Sequence, residues 1–439
     1  MKRKKPRLYL SAGTVFMLLF TVLVVLGCAG FLYMITGEDV AVRATDILSS
    51  FTFAKEPQST QAPQEPTGRA AMPAALFATA VPPLENLQPE PSATPVPEKI
   101  TLSIAAVGAV YAPKAVRQTV QTGGDQYDFA PVFEQIAPVL GDADLTIATL
   151  ETMTAGSEKG YDNYNTPVQI LDALRACGVD LVSLATERAL DKDHDGLTIT
   201  MQEVARRGLS YAGVYPEAGN AAVSMGSIGG VQVAVLAYTY GLSDEGEKKT
   251  AASSQDMVAM MDIDRIRSDI AAARQQGAKL VIVLPHWGTK NKTATPESVT
   301  QMAREMARAG ADIVLGTHPN VVQGTERIVH TRADGLEYET LVCYSLGSLL
   351  TDARTQEHTA SMAVRLEATY DPVTRRVELG QLDVTPLYIA RTRVDEKIAY
   401  RVVPADDAQA LDRLEETERM AAQQAAQLVR QMVIQEERQ

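Results

Sequence analysis

From Ile100 onward, short apolar runs alternate with amphipathic stretches along the chain. Residues 101–107, 144–150 and 180–185 are each a β-branched or aliphatic run closed by a polar or glycine-bearing turn, which predicts buried strands. Between them, residues 168–177 and 197–207 carry helical spacing and stop at Gly178 and Gly208. A short strand is predicted at 209–212 and another at 231–238, after the Gly229-Gly230 turn. Two further units follow: a helix at 263–276 feeding the run Val281-Ile-Val-Leu284, and a helix at 296–308 feeding Ile313-Val-Leu315. This alternation predicts an α/β fold with helices on the faces of a sheet. Beyond Leu341 the period becomes two. Residues 361–369 and 376–379 predict antiparallel strands joined at Asp371-Pro372. The tail, 406–439, predicts a charged helix with Leu411, Leu414, Ala421, Leu428 and Met432 on one stripe. Glu418 interrupts that stripe, so packing on the core is expected rather than a coiled coil.

The first hundred residues follow a different pattern. Residues 1–7 form a basic tail, and no charge appears from Leu8 to Ile35. Such a run is long enough to cross a hydrocarbon core as a helix, and the basic flank predicts a cytoplasmic N-terminus with the rest outside the cell membrane. A cleaved signal peptide is the rival, with Val25-Leu-Gly-Cys28 loosely resembling a lipoprotein box. Apolar sequence continues through Phe31 to Ile35, so an uncleaved single-pass anchor is expected. Residues 36–98 are rich in Pro, Ala, Gln, Thr and Ser, and close to half of the 22 prolines fall there. That composition predicts a disordered, semi-stiff tether ahead of a folded part at 99–405.

Charge narrows the partners. A net charge of −13, a pI near 5.0 and 5% aromatics argue against nucleic acid. Three cysteines give no disulfide framework, and Cys28, Cys177 and Cys343 lie in apolar contexts expected to hold buried thiols.

The candidate chemistry lies at strand ends. Leu284-Pro-His-Trp-Gly288 and Gly316-Thr-His-Pro-Asn320 each place a histidine just after a buried run. The carboxyl ends of strands are where open α/β sheets bind ligands, and imidazole suits both metal binding and proton transfer. Trp287, the single tryptophan, reads equally as a stacking platform or as core filling. Asp191-Lys-Asp-His-Asp-Gly196 imitates the start of a calcium loop, but Gln202 at the twelfth position cannot supply a bidentate carboxylate. A solvated turn carrying an exposed His194 is expected there. His330 and His358 are expected at the surface, and the loop Tyr161-Asp-Asn-Tyr-Asn165 reads either as a pocket rim or as an ordinary surface loop.

Five ordered pieces carry a family resemblance. They are Asp144-Leu-Thr-Ile-Ala-Thr-Leu-Glu151, Asp180-Leu-Val-Ser-Leu-Ala-Thr-Glu-Arg188, Pro285-His-Trp-Gly288, the stretch from Ala309 to Gly324 with its Gly-Thr-His-Pro-Asn core, and Tyr344-Ser-Leu-Gly-Ser348. From about Ile100 to Val403 the chain resembles the CapA family of capsule or poly-γ-glutamate synthesis proteins, whose domain is related to calcineurin-like metallophosphatases. The resemblance implies an α/β/β/α two-sheet sandwich with one site at the strand carboxyl ends. It also implies Asp, Asn and His ligands for divalent metal.

The chain departs from that pattern. The family's Gly-Asp is Gly108-Ala109, its Asn-Leu-Glu is Thr149-Leu-Glu151, and its Asn-Asn-His is Thr186-Glu-Arg188. Its His-Pro-His becomes His318-Pro-Asn320, and its Leu-Gly-Asn becomes Leu346-Gly-Ser348. The surviving polar set is Glu151, Glu187, His286, His318 and Asn320. Glu151, His286 and His318 are the candidate metal ligands and catalytic residues, and manganese or zinc is the ion they would take. Arg188, Glu187, Trp287 and Asn320 are the candidate substrate-binding residues. The expected state is a cleft without tightly held metal, with Arg188 paired to Glu187 or Glu151 or receiving an anion.

Two functions follow from the resemblance. One is a binding or assembly subunit for an anionic polymer such as poly-γ-glutamate, working beside a membrane-embedded synthase or export subunits. The other is a metal-dependent phosphoesterase or polymer hydrolase.

Overall fold

The computed structural model describes residues 97–217, 223–249, 256–332 and 335–436. The expected basic tail, membrane helix and most of the Pro-rich tether lie outside the described residues, as does Cys28. Among the described residues no helix is long and apolar enough to cross a membrane.

Among the described residues sixteen strands form the framework. In chain order they begin with β1 (Ile100–Val110), β2 (Gln121–Gly123), β3 (Gln126–Tyr127), β4 (Leu145–Leu150), β5 (Leu181–Ser183) and β6 (Ser210–Ala212). Then come β7 (Ser224–Ile228), β8 (Val231–Thr239), β9 (Leu280–His286), β10 (Ile313–Leu315), β11 (Thr325–Thr331) and β12 (Glu337–Cys343). The last are β13 (Ser348–Leu350), β14 (Ala360–Asp371), β15 (Arg376–Val394) and β16 (Lys397–Pro404). One sheet has the order β16-β15-β14-β1-β4-β5-β6, with β13 joined to β1. The second has the order β11-β12-β10-β9-β8-β7.

Period-two patterning explains how the sheets stack. Along β9, Leu280, Ile282 and Leu284 enter one apolar cluster while Val281 and Val283 enter another. Strand β8 divides the same way, with Val231, Val233 and Val235 on one face and Ala234, Leu236 and Tyr238 on the other. The shared cluster also takes Leu102, Ile104 and Ala106 of β1, so the two sheets face each other across it. Helices cover both outer faces. Gln169–Ala176 and Asp193–Arg206 cover the first sheet, and Ile263–Gln275 and Glu297–Ala309 cover the second. The layers are therefore α/β/β/α, as expected.

Local signals set the boundaries. Glu297–Ala309 follows Pro296, starts with an acidic residue and ends at left-handed Gly310. Where β1 meets the β12–β13 loop, a Cβ on Gly108 would run into the Gly347 carbonyl oxygen, so the backbone approach demands glycine. The C-terminal helix Glu416–Glu436 packs on the core through Ala422, Ala425, Ala426 and Val429. Strand β15 far exceeds the predicted 376–379. Its outer half is mostly polar and pairs with β14 and β16, so backbone pairing extends it where hydrophobic alternation gives no signal.

Two expectations fail here. Asp191–Gly196 is not a solvated turn, although His194 is exposed as expected: Asp193 already begins a helix, and Asp191 is 2% exposed. Its carboxylate accepts from Ser243 and Arg188, and these partners compensate for its burial. His330 is also buried, on the inward side of β11, with Nδ1 near the Ile328 carbonyl.

Candidate functional site

Because β8, β9 and β10 are parallel, their carboxyl ends open on the same side. The residues just beyond them are fastened together by backbone bonds. Trp287 N–H donates to the Thr317 carbonyl at 3.0 Å, Thr317 N–H to that of Pro285 at 3.0 Å, and Tyr240 N–H to that of His286 at 3.0 Å. His318 adopts φ 101°, a conformation costly for a non-glycine residue, and its ring turns toward His286.

This arrangement brings Glu151, His286 and His318 together, with one potential ligand atom from each lying within 4.8 Å of the others. All three are buried. His286 Nε2 is 3.2 Å from His318 Nδ1, and His286 Nδ1 is 3.3 Å from the Thr317 hydroxyl. That hydroxyl donates in turn to Thr149 Oγ1 at 3.3 Å. With Thr317 taking the Nδ1 proton, Nε2 of His286 is left as the lone-pair nitrogen facing the cleft. Glu151 Oε2 is buried without a partner among the described residues.

Electrostatics follows from this burial. Desolvation, helped by Glu187, pushes the Glu151 carboxyl up to about 8, against the pull of Lys290 and Arg188. Burial drives His318 down to about 4, with Glu187 opposing and Lys290 and Arg188 assisting. Burial also carries His286 well below its ordinary value, reinforced by His318, Lys290 and Arg188. Near neutral pH the trio therefore carries no charge.

The charged groups are next to it. Glu187 is buried, which alone would raise its carboxyl. Bonds from Lys290 Nζ and Tyr240 Oη, each 2.5 Å, together with the Arg188 charge hold it below the ordinary carboxylate range. Arg188 reaches Glu187 at 2.8 Å and Asp191 at 3.3 Å, and its guanidinium lies 3.7 Å from the Tyr164 ring centroid. The Tyr161–Asn165 loop thus reaches the site through Tyr164.

Several sequence expectations change. Arg188 pairs with Glu187, one of the two expected partners, and also with Asp191, so both ends of its fork are committed. It is therefore a poorer anion receptor than the sequence suggests. Trp287 is core filling, not a platform: it is 2% exposed, and its indole donates to the Tyr344 carbonyl at 2.9 Å. Asn320, in the left-handed region at φ 62°, accepts from the Ser348 hydroxyl at 3.3 Å.

Sequence reading missed Tyr240 and Lys290. Tyr240 follows β8 as His286 ends β9, and its ring lies 4.6 Å from that of His318. The strand-end argument could have found it. Lys290 lies four residues beyond His286, and only the fold shows that it reaches Glu187.

The donor set fits one divalent cation. Two imidazoles and a carboxylate match a three-ligand zinc-type site. The 3.2 Å between ring nitrogens is close to the ~3.3 Å separating two nitrogens on a tetrahedral ion with bonds of ~2.0–2.1 Å. A two-ion site does not fit. Ala109 pairs with Thr149 on one side and Ser348 on the other, so three positions where the resemblance implies ligands lie side by side with a methyl and two hydroxyls.

Comparison with known proteins agrees with the family resemblance. The chain is 23% identical over 317 residues to the PGA biosynthesis protein CapA of Bacillus subtilis, covering 70% of this chain and 78% of that protein. It is 23% identical over 269 residues to the capsule biosynthesis protein CapA of Bacillus anthracis, covering 58% and 60%. Among solved structures it is similar to a phosphatase of Mycoplasma pneumoniae (12% identity, 66% of this chain and 95% of that one, TM-score 0.40). It is similar too to the calcineurin-like phosphoesterase YfkN of Bacillus subtilis (11% identity, 76% and 100%, TM-score 0.39). The profile of the bacterial capsule synthesis protein PGA_cap matches residues 103–353, which spans both histidine motifs and more than half of the chain. The chain therefore belongs to the PGA_cap family of bacterial capsule synthesis proteins.

Proposed function

We propose that this protein is an envelope-anchored binding or assembly subunit in the synthesis, export or attachment of an anionic polymer of the poly-γ-glutamate type. Residues 8–35 hold it in the cell membrane as a single pass, with the basic tail inside and the folded part outside. Its partners are the polymer and a membrane-embedded synthase or export subunits, not nucleic acid. The observation that carries this reading is the adjacency of Ala109, Thr149 and Ser348, which puts a methyl and two hydroxyls, and no carboxylate, amide or imidazole, where the resemblance implies ligands for a second ion. The cations Arg188 and Lys290 stand beside the cleft instead, balanced by Glu187 and Asp191.

The convergence of Glu151, His286 and His318 favours one second reading, a hydrolase dependent on a single metal. A divalent ion bound there would supply Lewis acidity toward a phosphoryl or carbonyl oxygen. Glu151 would give up its proton on binding, Thr317 would hold His286 in the ligating tautomer, and Tyr240 and Lys290 would keep Glu187 ionised.

The test uses the full chain in detergent. Binding of poly-γ-glutamate in the presence of a chelator, with no phosphodiesterase turnover on added manganese, supports the first reading. Metal-dependent turnover that disappears in His286→Ala overturns it in favour of the second.

A further inference from the structure

A cationic cavity lies at the opposite ends of the strands from the histidine cleft. Its volume is about 150 Å³, and among the described residues Arg274, Lys279, Arg332, Arg375 and Arg376 line it with a single carboxylate, Asp312. Lys279 precedes β9 and Asp312 precedes β10, whereas His286 ends β9. Seven residues of strand separate the two places by roughly 20 Å. Arg375 closes the β14–β15 turn and Arg376 opens β15, so both sheets contribute.

The lone carboxylate is fully engaged. Asp312 is 5% exposed, and its Oδ1 accepts from Arg332 at 3.0 Å. Its Oδ2 accepts from Arg274 at 2.6 Å and from the Val281 N–H at 2.8 Å. Among the described residues Lys279, Arg375 and Arg376 form no ion pair. Arg376 donates to the Glu337 carbonyl, and Lys279 Nζ lies 5.9 Å from the Tyr370 ring. Tyr338 carries two of the guanidiniums, Arg332 at 3.9 Å and Arg376 at 4.7 Å from its ring centroid. Five cations thus converge on one neutralised carboxylate in a chain whose net charge is −13. Holding that much like charge together is unfavourable unless an anion completes it. Planar guanidinium forks match the paired oxygens of a carboxylate or phosphate.

We propose that this cavity binds an acidic group, carboxylate or phosphate, of an anionic polymer chain. It is a receptor for one pendant or terminal group, since its volume encloses little more than that and its water. The proposal rests on the polymer-binding reading above and places the anchoring contact away from the histidine cleft.

The experiment measures anisotropy of fluorescein-labelled poly-γ-glutamate and of labelled polyphosphate with the full chain in detergent. The variant is the double substitution Lys279→Gln and Arg375→Asn. Neither side chain makes an internal hydrogen bond among the described residues, and asparagine tolerates the left-handed backbone at 375 (φ 59°). A thermal melt within a few degrees of wild type confirms that the variant is folded. The expected result is at least tenfold weaker binding of whichever polymer the wild type takes, with weaker salt dependence and with His286→Ala unaffected. Wild-type affinity in the double variant overturns the proposal. Binding abolished by Lys290→Ala but not by the double variant also overturns it, while leaving the polymer-binding reading intact. A wild type that binds neither polymer overturns both.

Discussion

His286 and His318 turn their ring nitrogens toward each other, Nε2 to Nδ1, at 3.2 Å inside a buried cleft. One nitrogen must accept and the other donate, so protonating both rings would set two N–H groups and two charges face to face. Burial and the neighbouring cations Lys290 and Arg188 act in the same direction. The cleft is thus built for neutral imidazoles.

A pH profile checks this. With His318 held at about 4 in the fold and ~6.5 when unfolded, the unfolded chain binds more protons between those values. The stability gained by a neutral His318 is complete above ~6.5 and is lost as pH falls through about 4. Denaturant midpoints of the wild type should therefore fall more steeply over that window than those of His318→Asn. Parallel profiles would contradict the assignment.

Glu151 titrates with the opposite sign. Its folded value of about 8 lies above the unfolded ~4.3, so its contribution is complete at low pH and is lost as pH rises through about 8. Glu151→Gln should leave stability nearly unchanged near pH ~3.5, below the unfolded value, and raise it relative to wild type progressively as pH climbs from there to about 8. A cation entering the cleft displaces this proton, so zinc affinity should climb by up to ~tenfold per pH unit below about pH 8. Calorimetry in two buffers of different ionisation heat reads the released proton directly.

Glu187 is the keystone of the charged wall. Lys290, Arg188 and Tyr240 all bond to its carboxylate, so Glu187→Gln leaves two cations without their shared partner. The expected loss is about 2–4 kcal/mol, below that of a fully enclosed pair because the Lys290 side chain is 37% exposed. Urea melts check it, and the double variant Glu187→Gln with Lys290→Met should recover part of the loss.

Trp287 separates packing from recognition. Trp287→Ala should cost about 3–5 kcal/mol through the cavity it opens and the lost bond to the Tyr344 carbonyl. At temperatures where the variant stays folded, polymer affinity should remain within about twofold of wild type. A large loss of affinity with little loss of stability would return Trp287 to the binding surface.

The layers were legible wherever one physical rule dominated. Apolar period-two runs such as 280–284 marked strands buried on both faces, and glycines such as Gly310 marked helix ends. The histidine pair could be read because both residues end parallel strands. Lys290 and Tyr240 were invisible as partners of Glu187, since those contacts depend on three loops meeting at the cleft, over sequence separations no local pattern encodes. His330 was misread because it lies on a β11 edge strand whose inward face carries polar as well as apolar residues. Asp191 was misread because an acidic run signals solvent unless the fold supplies Arg188 and Ser243. The second cavity escaped altogether: its cations lie on three separate segments, 274–279, 332 and 375–376, that the two sheets bring to one end.

The most direct test counts metal ions. The full chain in detergent is equilibrated with excess manganese or zinc, freed of unbound ion and assayed by elemental analysis. With Ala109, Thr149 and Ser348 side by side where further ligands would be needed, the chain should retain no more than one ion, and His286→Ala none. Two ions per chain, retained at stoichiometric protein concentration, would contradict it.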